Sequence, residues 1–138
     1  MKIKINPDYP PKRAHPTDAG LDLRATHNQT IHPHETQPIH TGVHIALDPG
    51  TVAYLHPRSS LGKRNLGLAN DTGVIDANYR GEIIALIQNR GRVTQHITAG
   101  ERITQLVIHP IITPTLEIVD ELDDTDRGTA GFGSTGTH

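Results

Sequence analysis

Turn-forming residues recur along the whole chain and leave little room for helices. Ten prolines and thirteen glycines are spread over the 138 residues, and both residue types interrupt helices. No window of helical length carries an apolar stripe that repeats every 3.6 residues, and only one short helix fits, near residues 60–65. Between the turns stand short runs of Ile, Val and Leu, which favour strands where they are β-branched. The pattern therefore predicts an all-β fold.

Six segments have the length and composition of strands: residues 3–5, 43–47, 51–55, 83–87, 103–108 and 116–122. The second and third of these flank Asp48-Pro49-Gly50, a turn sequence, and so predict a hairpin. Many short strands between frequent turns are typical of a jelly-roll-like β-barrel. We expect one barrel domain over residues 1–122, followed by a flexible, glycine-rich arm over residues 123–138.

The composition excludes several classes of site and partner. The chain has no cysteine, so it has neither disulfides nor a thiolate metal site. A net charge of −2 argues against a protein that coats nucleic acid, although a few placed arginines can still hold a small anion. No apolar run approaches the roughly 20 residues of a membrane span, and the N-terminus lacks a signal peptide's apolar region. We expect a cytoplasmic protein (of the host cytoplasm, if viral) that binds neither membranes nor nucleic acid directly.

Five histidines crowd one segment of the chain: His27, His32, His34, His40 and His44. Their neighbours are prolines and turn residues, and the H-E-x-x-H spacing of zinc proteases does not occur. We expect these histidines to be solvated loop residues that hold no functional metal.

Two polar clusters in the first half of the chain interrupt the aliphatic pattern. In residues 18–25, Asp22 and Arg24 alternate with leucines and would share one face of a strand, either in a site or as a surface ion pair. In residues 57–62, Arg58 precedes a Ser-Ser pair at the start of the expected helix. That arrangement suits a phosphate, or it is a simple helix N-cap.

Two further clusters place polar side chains inside or beside strands. In residues 70–82, Asp76 follows a Val-Ile pair and precedes a turn, where it is either a general base or an ordinary turn residue. In residues 100–107, Gln105 stands inside an apolar strand. A buried Gln needs a hydrogen-bond partner, and a catalytic water is one possibility.

The fifth cluster is the tail, residues 126–136, which contains four glycines. Ordering such a segment costs roughly 1–2 kcal/mol per residue, so the tail is either idle or ordered by a ligand. The stretch from Gly128 to Thr135 looks like a P-loop, but Ser134 stands where the lysine is required. A Walker-type NTPase is therefore rejected.

Taken together and in this order, the five clusters resemble the trimeric deoxyuridine triphosphatases (dUTPases). The resemblance implies a jelly-roll β-barrel that forms a homotrimer, with three active sites at subunit boundaries that each use segments of all three chains. It also implies Mg²⁺-dependent cleavage of dUTP to dUMP and pyrophosphate, through water attack on the α-phosphorus. Such a reaction limits uracil incorporation into DNA and supplies dUMP for thymidylate synthesis.

The resemblance also implies a role for each matching residue. Asp76 matches the carboxylate that activates the water, and Gln105 the side chain that helps to hold it. Asp22 matches a group near the Mg²⁺ that acts through water. The family's phosphate-binding side chains correspond to Arg58, Ser59 and Ser60. Its uracil slot corresponds to Asn70, Gly73, Val74 and Ile75, and the ring that packs under the deoxyribose corresponds to Tyr79. The family's arm that closes over the site corresponds to Arg127, Phe132, Gly133, Ser134 and Thr135. Asn78 departs mildly from the family, because many relatives have an acid there.

Two rivals to this interpretation share the scaffold. A dCTP deaminase needs a Glu as proton shuttle, and the matching position here is Leu86, which cannot transfer protons. The intact set of Asp76, Gln105, Arg58 and the tail argues against a non-catalytic binding or regulatory protein. An added partner-binding role stays open.

Overall fold

The structure, a computed structural model, describes residues 1–131. Within this range the chain forms eleven strands and one short helix: β1 (Lys2–Lys4), β2 (Leu21–Arg24), β3 (Gln29–Ile31), β4 (Thr36–His40), β5 (His44–Ala46), β6 (Thr51–Pro57), α1 (Ser59–Gly62), β7 (Leu66–Leu68), β8 (Gly73–Ile75), β9 (Ile84–Asn89), β10 (Gln95–Ile97) and β11 (Arg102–Pro110). The predicted all-β fold with one short helix is confirmed.

All strand pairs are antiparallel, and they form four sheets. The largest has the order β2-β11-β6-β8, the next has the order β4-β9-β7, and two ribbons pair β1 with β5 and β10 with β3. Most neighbours in these sheets are far apart in sequence, as expected of a jelly-roll-like barrel. The helix found within residues 1–131, α1, has four residues, which is too short for a membrane-spanning helix.

The core is aliphatic, as a composition with one Phe and no Trp requires. A single buried cluster joins Leu55 and Leu106 of the largest sheet with Ile39 and Ile87 of the next. Leu61 anchors the short helix in this cluster with no exposed surface. Because each of these side chains is almost fully buried, each contributes about 1.5–3 kcal/mol of burial free energy.

The hairpin predicted over residues 43–55 is wrong. Strand β5 pairs with β1, whereas β6 pairs with β8 and β11. The Asp48-Pro49-Gly50 turn forms, with Gly50 at φ +79 and Thr51 Oγ1 donating to the Asp48 carbonyl at 2.6 Å. The turn carries the chain from one sheet to another, because both of its flanking strands find better partners elsewhere.

The strand predicted over residues 116–122 is also wrong, since no strand forms between residue 111 and residue 131. Leu116, Ile118 and Leu122 are 87%, 100% and 85% exposed. A strand needs a neighbour that supplies hydrogen bonds and an apolar face, and the described part of this chain offers none to these residues.

Candidate active site

Four of the predicted site residues line one cleft of about 360 Å³, here called the polar cleft. They are Asp22 on β2, Arg58 and Ser59 at the start of α1, and Gln105 on β11. They meet because β2 and β6 both pair with β11, and α1 follows β6 directly. The sheet register therefore assembles residues that lie up to 83 positions apart in the printed sequence.

Asp22 is held between two arginines in the polar cleft. Its Oδ1 lies 3.0 Å from Arg58 Nε, and its Oδ2 accepts a hydrogen bond from Arg102 Nη1 at 3.1 Å. A buried carboxylate is costly unless it is paired, and two guanidinium groups satisfy this one. The surface ion pair considered between Asp22 and Arg24 does not form, because Arg24 Nη1 donates to the Gly100 carbonyl instead.

Gln105 reaches into the polar cleft over a glycine. A Cβ added at Gly20 would lie 2.5 Å from Gln105 Oε1, so any larger residue there would displace the carboxamide. Gln105 is half-buried. Gln105, which is unusual inside an apolar strand, thus faces the polar cleft and not the aliphatic core.

The start of α1 exposes the two serines. Arg58 occupies the N-cap position with extended backbone, and no side chain caps the helix. The alternative interpretation of the Ser-Ser pair as a simple N-cap is therefore wrong. Ser59 lines the polar cleft and Ser60 is exposed beside it, so both hydroxyl groups remain available to a ligand.

A second cleft, of about 430 Å³, surrounds the β8 segment and is here called the hairpin cleft. The predicted site residues that line it are Asn70, Gly73, Val74, Ile75, Asp76 and Tyr79. Gly73 packs on Leu55, where an added Cβ would come within 3.1 Å of the Leu55 Cβ. Tyr79 is fixed by a hydrogen bond from its hydroxyl to the Glu82 carbonyl at 2.9 Å. Aliphatic side chains, among them Leu86, also line this cleft.

Glu82 also lines the hairpin cleft. Its carboxylate lies 2.9 Å from His40 Nδ1 and accepts a hydrogen bond from the Gly42 N–H at 2.8 Å. Burial raises the pKa of this carboxyl, but the hydrogen bonds from His40, Gly42 and Thr41 outweigh burial, so the pKa lies below its ordinary value of 4.5.

This lowered pKa predicts a measurable dependence of stability on pH. A group whose pKa is lowered by folding stabilises the protein above its unfolded pKa, and that stability is lost as the pH falls through the folded pKa. At neutral pH the free energy of unfolding of the wild type should therefore exceed that of Glu82→Gln, and this difference should disappear as the pH falls below 4.5. Urea unfolding of both proteins between neutral and acidic pH measures this, with the exposed Glu117→Gln as control. Parallel stability curves for wild type and Glu82→Gln would contradict the assignment.

Asp76 and Gln105 do not share a cleft within one chain, and the two clefts have no lining residue in common. Ile75 pairs with Ala53 on β6, and Ala53 pairs with Ile108 on β11. Asp76 is therefore two strands away from β11, level with the residue that lies four positions after Gln105. With about 3.4 Å per residue and about 4.8 Å between strands, the two Cα atoms are roughly 17 Å apart. One water molecule cannot contact both side chains of the same chain.

The described part of the tail contributes to neither cleft. Arg127 is exposed, and its Nε donates to the Ala130 carbonyl at 3.0 Å. The other predicted arm residues, Phe132, Gly133, Ser134 and Thr135, lie outside the described residues.

The crowded histidines have separate partners. His27 Nδ1 lies 2.8 Å from Thr26 Oγ1, His44 Nδ1 lies 3.0 Å from the Arg80 carbonyl, and His40 meets Glu82. Within residues 1–131 no group of three or more His, Asp or Glu side chains has the arrangement of a metal site.

Sequence reasoning gave no role to Arg102, Glu82 and Gly20, although each lies within one of the five polar clusters. Gly20 lines the polar cleft and Arg102 contacts Asp22, and the pairing of β2 with β11 brings both there. Glu82 reaches the hairpin cleft through its contacts with His40 and Gly42. Their residue types are common on protein surfaces, so no local signal distinguishes them.

The fold and the site define an antiparallel all-β barrel with a polar cleft, in which Arg58 lies beside Asp22, and a second cleft around β8. The sequence profile of the dUTPase family matches residues 9–136. The deoxyuridine 5'-triphosphate nucleotidohydrolase of Aromatoleum aromaticum is 48% identical over 146 aligned positions, covering 100% of this chain and 98% of the relative. The chain belongs to the dUTPase family.

Solved structures agree with this assignment. The dUTPase of Staphylococcus bacteriophage 80alpha with dUPNHPP superposes with a TM-score of 0.89 at 31% identity, covering 99% of this chain and 98% of that one. A mutant dUTPase from phage phi11 of S. aureus gives a TM-score of 0.81 at 28% identity, with coverage of 89% and 98%. The structure of that phage protein reveals the coordination of a structural Mg(II) ion.

Proposed function

We propose that this protein hydrolyses dUTP to dUMP and pyrophosphate by water attack on the α-phosphorus, in the cytoplasm. The observation that carries the proposal is the family match, which spans all five polar clusters. The relatives bear the name of this activity, and a phage relative has been solved with a dUTP analogue. The polar cleft and the hairpin cleft supply groups suited to a triphosphate and to a planar base.

A homotrimer completes the site in this proposal. The Cα atoms of Asp76 and Gln105 are roughly 17 Å apart within one chain, so the water they share must lie between the hairpin cleft of one subunit and the polar cleft of another. The predicted arm, with Arg127, Phe132, Gly133, Ser134 and Thr135, would come from the third. An oligomer with closed threefold symmetry makes all three such sites equivalent.

The triphosphate binds in the polar cleft. Arg58 offers guanidinium donors beyond the one facing Asp22, and Ser59 and Ser60 offer hydroxyl groups at the exposed start of α1. Arg is well matched to phosphate because its planar group can donate two parallel hydrogen bonds. The Asp22 carboxylate holds Arg58 in place, so the side chain need not be ordered when the substrate arrives.

The donor set fits Mg²⁺ only as an ion carried largely by the substrate. Both oxygens of Asp22 already face arginines, so this carboxylate is suited to contact a hydrated ion through water. Mg²⁺ characteristically keeps several waters and binds through substrate phosphates with one or two carboxylates. When bound, the ion would neutralise part of the triphosphate charge.

Asp76 and Gln105 act in the chemical step. Asp76 accepts a proton from a water molecule that Gln105 holds, and the oxygen forms a bond to the α-phosphorus. The bond between the α-phosphorus and the bridging oxygen to the β-phosphorus breaks, and pyrophosphate leaves as one unit. Asp76 follows the edge strand β8 in the hairpin cleft, where a neighbouring subunit can approach it.

The hairpin cleft holds the base and the sugar. Asn70, Gly73, Val74 and Ile75 form the uracil slot, whose backbone groups read the base edge. The Tyr79 ring packs under the deoxyribose, where a 2′-hydroxyl would clash. Leu86 lines the same cleft, and an aliphatic side chain cannot carry the proton that a dCTP deaminase must move.

Hydrolysis in H₂¹⁸O tests the proposed reaction. Attack on the α-phosphorus puts the label into dUMP and leaves pyrophosphate unlabelled, and mass spectrometry of both products distinguishes the alternatives. Label in pyrophosphate, or release of inorganic phosphate, would contradict the mechanism. Ammonia release from dCTP would instead favour a deaminase.

A further inference from the structure

Three side chains form a row across the largest sheet. In the register of that sheet, Gln105 on β11 is directly opposite Asp22 on β2 and directly opposite His56 on β6. Residues that face each other in antiparallel strands project to the same side, with Cβ atoms about 4.5–5.5 Å apart. Leu55 and Leu106, the next residues along their strands, belong to the buried core. His56 therefore lies beside Gln105 on the face that carries the polar cleft.

A fourth residue extends the row toward the hairpin cleft. Leu55 pairs with Gly73, so Thr72 continues the register opposite His56. The Nδ1 of His56 lies 3.4 Å from Thr72 Oγ1. Thr72 in turn donates its N–H to the Asn70 carbonyl at 2.6 Å. The His56 ring is thus tied to the segment that precedes β8.

Gln105 is confined on both sides by this arrangement. Gly20 leaves space for its carboxamide on the side of Asp22, where a Cβ would come within 2.5 Å of Oε1. On the other side stands the half-buried ring of His56. Without that ring, the flexible Gln side chain could turn along the sheet toward β6 and away from the polar cleft.

We propose that His56 is a positioning residue for dUTP hydrolysis, which acts by holding the Gln105 carboxamide toward the polar cleft. This inference rests on the proposed function of Gln105 as the side chain that holds the attacking water. His56 itself touches neither substrate nor water. Its Thr72 contact fixes the ring, and the ring excludes the alternative orientation of Gln105.

The expected effect is on turnover more than on substrate affinity. A misplacement of about 1 Å at a reacting group can cost up to about a hundredfold in rate. His56→Ala should therefore lower kcat by about tenfold or more while KM changes less than about threefold. His56→Asn, which keeps a nitrogen close to the position of Nδ1 and can still bond Thr72, should recover part of the loss.

His109 provides a matched control on the same sheet face. It is a histidine on β11, its ring lies 5.3 Å from that of Tyr54, and it is four residues from Gln105. His109→Ala should leave kcat within about twofold of wild type. All variants are first compared with wild type in thermal unfolding and in subunit mass, so that a folding defect is recognised.

A double-mutant cycle with Gln105→Ala separates positioning from a general structural role. If His56 acts through Gln105, His56→Ala should have almost no further effect once Gln105 is replaced. An undiminished loss in that background, or an equal loss in His109→Ala, would overturn the proposal.

A measurement that does not depend on turnover tests the positioning role of His56 separately from the proposed function. The side-chain amide resonance of Gln105, assigned by comparison with Gln105→Ala, should shift in His56→Ala and stay in place in His109→Ala. An unchanged resonance in His56→Ala would overturn the positioning role even if dUTP hydrolysis is confirmed. A shifted resonance in a protein without dUTP hydrolysis would instead contradict the proposed function alone.

Discussion

Asp76→Asn should lower the rate of dUTP hydrolysis by about 10²–10⁴-fold while nucleotide binding is retained, because a general base contributes a factor of that size. Asn has nearly the same shape as Asp but cannot accept the proton of the attacking water. Asp76 lines the hairpin cleft just after β8, so the substitution should leave the core untouched. Steady-state kinetics and equilibrium binding of a dUTP analogue measure the two effects separately.

Asp71→Asn is the matched control for this substitution. Asp71 precedes β8, is largely exposed and has a φ of +57, a conformation that Asn adopts readily. Its ion pair with Arg90 is exposed and therefore contributes little to stability. Turnover by Asp71→Asn should remain close to wild type. If Asp76→Asn kept its turnover within about threefold of wild type, Asp76 would not be the base.

Mixed trimers should regain activity that neither parent has. One parent ends at Leu122 and lacks the arm, and the other is full-length Asp76→Asn. If the hairpin cleft and the arm of each site come from different subunits, roughly one site in four of randomly mixed 1:1 trimers combines an intact Asp76 with an intact arm. The separation of Asp76 and Gln105 within one chain is the structural reason to expect shared sites.

The control for this experiment is a chain that carries both defects. Refolded together with either parent, it cannot supply the missing element and should give no recovery. Native mass spectrometry shows that the trimers are mixed. An absence of recovery in trimers shown to be mixed would mean that the arm and the hairpin cleft of each site come from the same subunit.

Local sequence patterns predicted the fold class and the groups that line the clefts. Prolines and glycines at short intervals and aliphatic runs of strand length gave the all-β fold, because these signals act within a few residues. Asp22, Arg58 and Gln105 are polar residues in an apolar sequence background, and this contrast alone indicates three residues of the polar cleft.

The same local patterns do not show which strands pair with each other. The turn at Asp48-Pro49-Gly50 was recognised, but the sequence does not show that β6 pairs with β11, whose residues lie about 50 positions further along. Residues 116–122 have the composition of a strand and remain exposed, since a strand also requires a neighbour. Arg102 beside Asp22 and His56 beside Gln105 depend on the same non-local register.

The proposed function is tested by a turnover panel with dUTP, dTTP, UTP and dCTP. We expect rapid release of dUMP and pyrophosphate from dUTP and far slower turnover of the others, because in the proposed site a thymine methyl, a 2′-hydroxyl or an exocyclic amine would not fit the hairpin cleft. Equal turnover of the four nucleotides, or no turnover of dUTP by a folded trimer with Mg²⁺, would contradict it.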